Sequence, residues 1–291
     1  NGSWTNGASF LYQTNTNVGA RIIVPDATTL EGSVFSYAKQ RTGNITFEGG
    51  VRFDLRSIDA IRTLDLNLPF NKRWSALNGS LGLAWDPIEE LNIKANVSSG
   101  YRSGNLAELG SSGLHEGTRR WELGDPDLGV ERNLNAELGF TYEWAEQIEL
   151  GMSVYRNAFA DYIYLTPTGT DTLGLHIYRF VQTDATLQGG EATIDFHPKV
   201  IKWLDATIAY SHLKADKGDG TPLPFIPADR LRADLKFTPK THAWLKLGVS
   251  NVFAQDSPAQ FETRTPAYTL VNASIGTSVK WNKDPLEMVV V

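Results

Sequence analysis

LNIKANVSSGYR, residues 91–102, alternates without a break. Leu91, Ile93, Ala95, Val97, Ser99 and Tyr101 fall on one side; Asn92, Lys94, Asn96, Ser98, Gly100 and Arg102 fall on the other. Side chains on a strand point alternately to opposite faces, so a period of two reads as a strand with one apolar and one polar face. The run 133–144 repeats it, with Leu134, Ala136, Leu138, Phe140, Tyr142 and Trp144 against Asn133, Asn135, Glu137, Gly139, Thr141 and Glu143. The same pattern returns at 148–154, 192–196, 204–210, 231–237, 243–249 and 271–281, in runs of about ten residues. No stretch carries a helical period with caps, so the chain reads as all-β and antiparallel.

Connections between the runs alternate in length. Short breaks fall near 41–44, 86–90, 145–147, 198–202, 238–241 and 282–285, and longer polar or Gly/Pro-rich connections occupy 56–73, 103–130, 166–177, 214–228 and 252–266. A meander with tight turns on one rim and long loops on the other produces this alternation, as outer-membrane barrels do. A soluble sandwich or propeller also alternates apolar and polar residues. Three features favour an up-and-down transmembrane β-barrel. Strands of about ten residues suit a tilted bilayer crossing. Aromatics crowd the strand ends (Trp74, Trp85, Tyr101, Tyr142, Trp144, Tyr162, Tyr164, Phe237, Tyr268, Trp281) as interfacial girdles do. The opposite faces are rich in Asn, Ser, Thr, Lys, Glu and Arg, as a wet or plugged lumen allows.

Composition bounds the partners. The 291 residues carry 27 Lys+Arg against 33 Asp+Glu, a net charge of -6, which argues against nucleic acid, whose phosphates want a basic stripe. Cysteine is absent, which excludes disulfides, thiolate metal sites and Cys nucleophiles. Mean hydropathy is -0.26, and the longest apolar runs are far short of the roughly 20 residues of a membrane helix. That excludes helical membrane spans and leaves strand crossings open. The chain opens on Asn1-Gly2-Ser3-Trp4 and closes on Met288-Val289-Val290-Val291, which reads as an excerpt of a longer protein. About thirteen strands are counted, an odd number where single-chain bacterial barrels have an even one.

The stretch GYRSGNLAELGSSGLHEGTRRWELGDPDLGVERNLNAELGFTY, residues 100–142, resembles the C-terminal barrel of TonB-dependent receptors. That family carries a strand ending in aromatic-Arg, a loop Glu-Leu pair, a Glu-Gly-(Asn/Asp)-Pro-x-Leu-x-x-Glu segment and a Glu-Leu-Gly strand. Tyr101, Arg102, Glu108, Leu109, Glu122, Gly124, Asp125, Pro126, Leu128, Glu131, Glu137, Leu138 and Gly139 fall in that order. Ser103-Gly104 and the inserted Leu123 depart from the pattern. Gly50–Asp54, 185–191 ending at Glu191, 227–237 and Asn251-Val252-Phe253 extend the resemblance over most of the chain. It implies a partial barrel at residues 1–291, about 13 strands of a probable 22, lacking the N-terminal plug and the terminal strand. It also implies residence in the Gram-negative outer membrane and TonB-driven uptake of a scarce nutrient complex. Metal–siderophore heads the cargo classes, ahead of cobalamin, other metal complexes and glycans. The partners implied are outer-membrane lipid, the protein's own plug, TonB and a small-molecule chelate, with no cofactor. A passive porin or adhesin would share the strands and lack the 108–131 signature.

Candidate site residues are few. There is no phosphate loop, nucleophile elbow or dinucleotide fingerprint, so no catalytic residues are assigned. His115, His176, His197, His212 and His242 read as scattered over loops and turns without ligand spacing, so no metal site is assigned. Asp125, Asp127 and Glu131 lack the oxygen ladder of an EF-hand and read as loop caps. Asp216 and Asp219 read as a polar hairpin tip. The sequons at Asn96 and Asn272 fall on the polar face of strands and need no glycan. His115, Arg119, Arg120, Trp121, Tyr162, Tyr164, His176 and Tyr178 are the outer-loop candidates for an anionic or conjugated ligand, because aromatic–Arg clusters on a rigid scaffold suit one. The competing reading places Tyr162, Tyr164 and Tyr178 in the upper girdle.

Overall fold

The computed structural model describes residues 1–18, 22–61, 69–239, 243–260, 262–281 and 284–290, with backbone alone from 278 onward. The strands are β1 (Gly2–Asn15), β2 (Asp26–Thr42), β3 (Ile45–Ile61), β4 (Phe70–Ile88), β5 (Leu91–Arg102), β6 (Ser112–His115), β7 (Arg120–Leu123), β8 (Glu131–Trp144), β9 (Ile148–Thr172) and β10 (Leu175–Phe196). They continue as β11 (Leu204–Lys217), β12 (Arg230–Phe237), β13 (Ala243–Val252), β14 (Tyr268–Trp281) and β15 (Asp284–Val290), with one short helix, α1 (Leu106–Gly110). Among the described residues thirteen strands form the wall, in the order β1-β2-β3-β4-β5-β8-β9-β10-β11-β12-β13-β14-β15. Every wall pairing is antiparallel between neighbours in that order, an up-and-down meander.

Register makes the two faces continuous. Leu91, Tyr142, Leu150, Ile194, Ile208, Ala233, Val249 and Val271 are successive partners from β5 to β14. A neighbouring row on the other face runs Lys94, Gly139, Ser153, Glu191, Ser211 and Arg230. The apolar face lies open: Leu81 is 74% and Leu138 53% exposed. Soluble monomers rarely expose a contiguous apolar sheet face of this extent, whereas a barrel turns such a face to lipid. Trp85, Trp144 and Trp203 are also exposed near the tight-turn rim, and Trp203 stacks on Phe237 at 6.0 Å. This is one interfacial girdle.

Tight turns and long connections alternate as expected, but several boundaries differ. The tight rim carries Gly43 at φ 61 and the residue pair Ala145 and Glu146 at φ 53 and 55. The breaks near 238–241 and 282–285 partly lie outside the described residues. Most wall strands are longer than ten, β9 with 25 residues and β10 with 22, whereas β12 has 8 and β13 has 10. The 166–177 segment is no loop but the end of this hairpin, closed by Leu173 and Gly174 at φ 50 and 74. Two consecutive positive φ values make a twist-matched two-residue turn, normally signalled by Asn-Gly or Asp-Gly, and Leu-Gly hides it. Likewise β3 and β4 extend into 56–73, and β11 into 214–228. The 103–130 connection holds α1, β6 and β7, so the expectation of no helix is corrected.

Two clusters give the protein its only dense packing among the described residues, both toward the long-loop rim. The first joins Leu109 and Leu128 of the 103–130 excursion to Ala27, Ile58, Ala60 and Ile163, with Phe70, Trp74 and Phe180 packed against it. The second gathers Ala185, Ala215 and Leu223, flanked by Phe159, Tyr162, Tyr164, Leu187 and Ile226. Trp74, Tyr162 and Tyr164 therefore serve internal packing rather than a girdle, because each lies against a cluster that folded connections complete.

Candidate functional site

The excursion between β5 and β8 is held by a charged clamp at its base. Arg102 ends β5 and Glu131 begins β8, and the two are ladder partners. Arg102 Nη2 donates to Glu131 Oε2 at 2.8 Å, and Nη1 donates to both oxygens of Glu108 at 2.7 Å. Glu131 Oε2 also accepts the Ile163 N–H at 2.9 Å. Both carboxylates are buried, at 8% and 6% exposure. Their charge is tolerated because guanidinium and backbone donors satisfy it.

Glu108 has a second duty. Asn105 caps α1 by accepting the Ala107 and Glu108 N–H groups, and Glu108 Oε2 accepts the Asn105 N–H at 2.8 Å. This reciprocal capping box is legible in Asn105-Leu106-Ala107-Glu108, a short helix signal set between two strands. Leu109, 1% exposed, then anchors the first cluster. Asp125 N–H reaches Glu108 C=O at 2.8 Å and Gly124 N–H reaches Ser111 C=O at 2.7 Å. A Cβ on Gly124 would lie 2.6 Å from the N atoms of Gly110 and Ser111. Glycine is required there by this backbone contact. Pro126 sits in the following turn, where Asp125 Oδ1 accepts the Asp127 N–H at 2.9 Å, the capping role expected of this segment.

The excursion brings part of the candidate ligand cluster together. β6 and β7 form a small hairpin, and β7 pairs in parallel with β10 through Trp121–Ile177, Glu122–Tyr178 and Leu123–Arg179. Buried Glu122 accepts from Arg120 Nε at 2.7 Å, and the Arg120 guanidinium lies 5.2 Å from the Tyr178 ring centroid. Arg120 and Tyr178 thus share one surface, while Trp121, the ladder partner of Ile177, turns to the opposite face of β7. Arg119 is exposed beside it at φ 51. His115 closes the hairpin with Thr118 at 3.1 Å. His176 is exposed at the far hairpin and bonds Asp171 at 2.6 Å.

Tyr162 and Tyr164 stand apart from this surface. A register shift where Ala160 and Asp161 oppose Asp184 reorients the hairpin, with Asp161 at φ 58. Ile163 then faces the first cluster, while Tyr162 and Tyr164 face the second. Tyr162 meets Phe159 edge-on at 5.1 Å, and Lys217 lies 5.7 Å from the Tyr164 ring centroid. Alternation alone cannot show such a bulge.

The remaining motif residues are resolved unevenly. Tyr101 lines a polar cavity of about 410 Å³ with Arg52, Asp54, Arg56 and Asn78. Gly139 and Glu191 share the polar row described above; no close contact explains either residue type. The histidines pair singly with acids: His197 with Asp205 and His212 with Asp229, each at 2.7 Å. His115, His176 and His212 lie within β6, β10 and β11, correcting their reading as loop or turn residues, and His242 lies outside the described residues. Among the described residues no group of three metal-ligating side chains occurs. At the 214–222 tip, the Thr221 N–H and hydroxyl donate to Asp219, holding its carboxyl below the ordinary range.

Comparison with known proteins bears on this architecture. The chain is 24% identical over 204 residues to the iron-regulated outer membrane virulence protein of Vibrio cholerae serotype O1, a match covering 65% of this chain and 31% of that protein. The chain therefore spans about a third of the length of that relative. Among solved structures, the copper transporter OprC superposes with a TM-score of 0.74 at 16% identity, over 87% of this chain and 40% of that one. A double mutant of the Serratia marcescens hemophore receptor HasR, solved with its hemophore and heme, gives a TM-score of 0.70 at 15% identity, over 96% of this chain and 53% of that one. The model for "TonB dependent receptor-like, beta-barrel" matches residues 1–286. With an apolar face open to lipid, a long-loop rim and the Arg102 clamp all accounted for, the chain belongs to the TonB-dependent receptor β-barrel family of the Gram-negative outer membrane.

Proposed function

We propose that this chain is the wall of an outer-membrane receptor that takes up a metal–siderophore or similar scarce nutrient complex, with energy coupled through TonB and a plug inside the barrel. The observation that carries the reading is the β7–β10 contact. It sets Arg120 and Tyr178 on one surface at the loop rim, on a scaffold whose base is fixed by Arg102, Glu108 and Glu131. A cationic and aromatic surface suits an anionic, conjugated chelate. The names of the relatives, an iron-regulated protein, a copper transporter and a hemophore receptor, support a metal-containing cargo. Uptake needs no covalent chemistry, and no residue is assigned a catalytic role.

Binding of a panel of ferric chelates to the intact receptor in detergent tests this reading. One chelate is expected to bind saturably, and Tyr178→Ala and Arg120→Ala are each expected to weaken it about tenfold. Absence of binding across the panel, together with steady ion conductance in a planar bilayer, would point to a passive porin instead.

A further inference from the structure

At the long-loop rim of β11 to β14, two connections enclose a cleft of about 710 Å³. That volume lies within the roughly 300–1000 Å³ range of small-molecule sites. The walls are joined by specific hydrogen bonds. Glu262 accepts the Phe225 N–H at 2.8 Å on one oxygen and the Ala259 N–H at 2.9 Å on the other. Gln255 Nε2 donates to the Ile226 carbonyl at 2.8 Å. The lining combines Phe225, Phe253, Pro227, Pro258 and Tyr268 with Arg230 and two threonines.

Phe225 is the feature that folding alone does not explain. Its φ is 63, in the left-handed region where a bulky side chain is disfavoured and glycine is usual. Its side chain is nonetheless 69% exposed, although Leu223 and Ile226 on either side pack in the second cluster. Backbone strain and an apolar ring in water are both costs, and no core cluster among the described residues takes in the Phe225 ring. Retained strain of this kind clusters at binding sites.

The polar side of the cleft is selective. Both Glu262 oxygens are already used by backbone donors. Arg230 gives only Nε to Ser250, at 2.7 Å, and no carboxylate among the described residues pairs with it. The available charge is therefore a cation with donors to spare.

We propose that this cleft binds a planar aromatic anion, its ring against Phe225, Phe253 and Tyr268 and its acidic group on Arg230. The assignment goes beyond uptake and stands whether or not the receptor carries a metal chelate. Calorimetric titration of the intact receptor in detergent with 1-naphthoate tests it. Saturable binding to one site is expected, with 1-naphthalenemethanol and cyclohexanecarboxylate each at least tenfold weaker. Phe225→Gly is expected to weaken naphthoate binding at least tenfold while raising the melting temperature, because glycine relieves the strain. Arg230→Gln is expected to weaken naphthoate tenfold and leave 1-naphthalenemethanol unchanged. The proposal is overturned if naphthoate does not saturate, or if the non-aromatic cyclohexanecarboxylate binds equally well. It is also overturned if both variants bind like wild type, including the case where Tyr178→Ala alone removes binding.

Discussion

Arg102 and Glu131 are ladder partners across β5 and β8 and also an ion pair, Nη2 to Oε2 at 2.8 Å. One residue ends a strand and the other resumes the wall after the whole 103–130 excursion. The pair therefore closes the excursion at its neck, and Glu108 ties the excursion's helix to the same guanidinium.

Glu131→Gln removes the charge that Arg102 needs while leaving the side chain's shape. Arg102 is 41% exposed, so solvent screens part of the loss, and a destabilisation of about 1–2 kcal/mol is expected, below the figure for a fully buried pair. Limited proteolysis of the intact receptor in detergent should then cut within 103–130 while the strands stay protected. Arg102→Lys should behave similarly, since an ammonium cannot serve two carboxylates in a fork.

Gly124→Ala places a Cβ 2.6 Å from two backbone nitrogens, so the excursion must shift. A loss of about 1–3 kcal/mol is expected from such overpacking. Gly32→Ala is the control: nothing lies within 4 Å of a Cβ there, and its effect should stay within about 0.5 kcal/mol. Denaturant titrations of the two variants compare them.

Leu173 sits at φ 50 and is 87% exposed at the β9–β10 turn. Leu173→Asn should stabilise the tip by about 0.5–1 kcal/mol, because asparagine tolerates the left-handed region that leucine resists. Hydrogen exchange of the 166–179 amides should slow, with the strands below unaffected.

The two faces should respond oppositely to charge. Leu138→Arg, on the apolar face, is expected to cost about 2–4 kcal/mol near the bilayer midplane. Asn135→Arg, on the polar face, should cost little. Urea unfolding of the receptor in lipid vesicles distinguishes them.

At the tight-turn rim, the Lys199 ammonium lies 2.7 Å from Glu146, and its hydrogen bond holds the Glu146 carboxyl below the ordinary 4.5. A lowered folded-state value means that this contact contributes above the ordinary carboxylate range and is lost as pH falls through the lowered value. Hydrogen exchange in turns 145–147 and 198–203 should rise on acidification through that window. Glu146→Gln should remove the rise, and salt should blunt it.

Some of this was readable from residue order and some was not. Alternation at 91–102 and 133–144 specifies both faces, since side-chain direction on a strand is a local property. The order Arg102, Glu108, Gly124, Glu131 marked a motif, and the structure supplies its reason: a clamp, a capping box and a backbone contact. The β9–β10 hairpin was hidden because Leu173-Gly174 lacks the usual turn residues. The separation of Tyr162 and Tyr164 from Tyr178 was hidden because it depends on the β9–β10 register, which sets Tyr162 and Tyr164 opposite Thr183 and Val181 but Tyr178 opposite Pro167.

By itself the sequence determined the strand order, the apolar and polar faces and the alternation of tight and long connections, all of which follow from contacts between near neighbours along the chain. Only the tertiary structure decided how the 103–130 excursion packs, which rings meet Arg120 and where Phe225 is left exposed. Those outcomes depend on pairings such as Trp121 with Ile177 and Phe225 with Glu262. They join residues far apart in the chain, and no local periodicity encodes them.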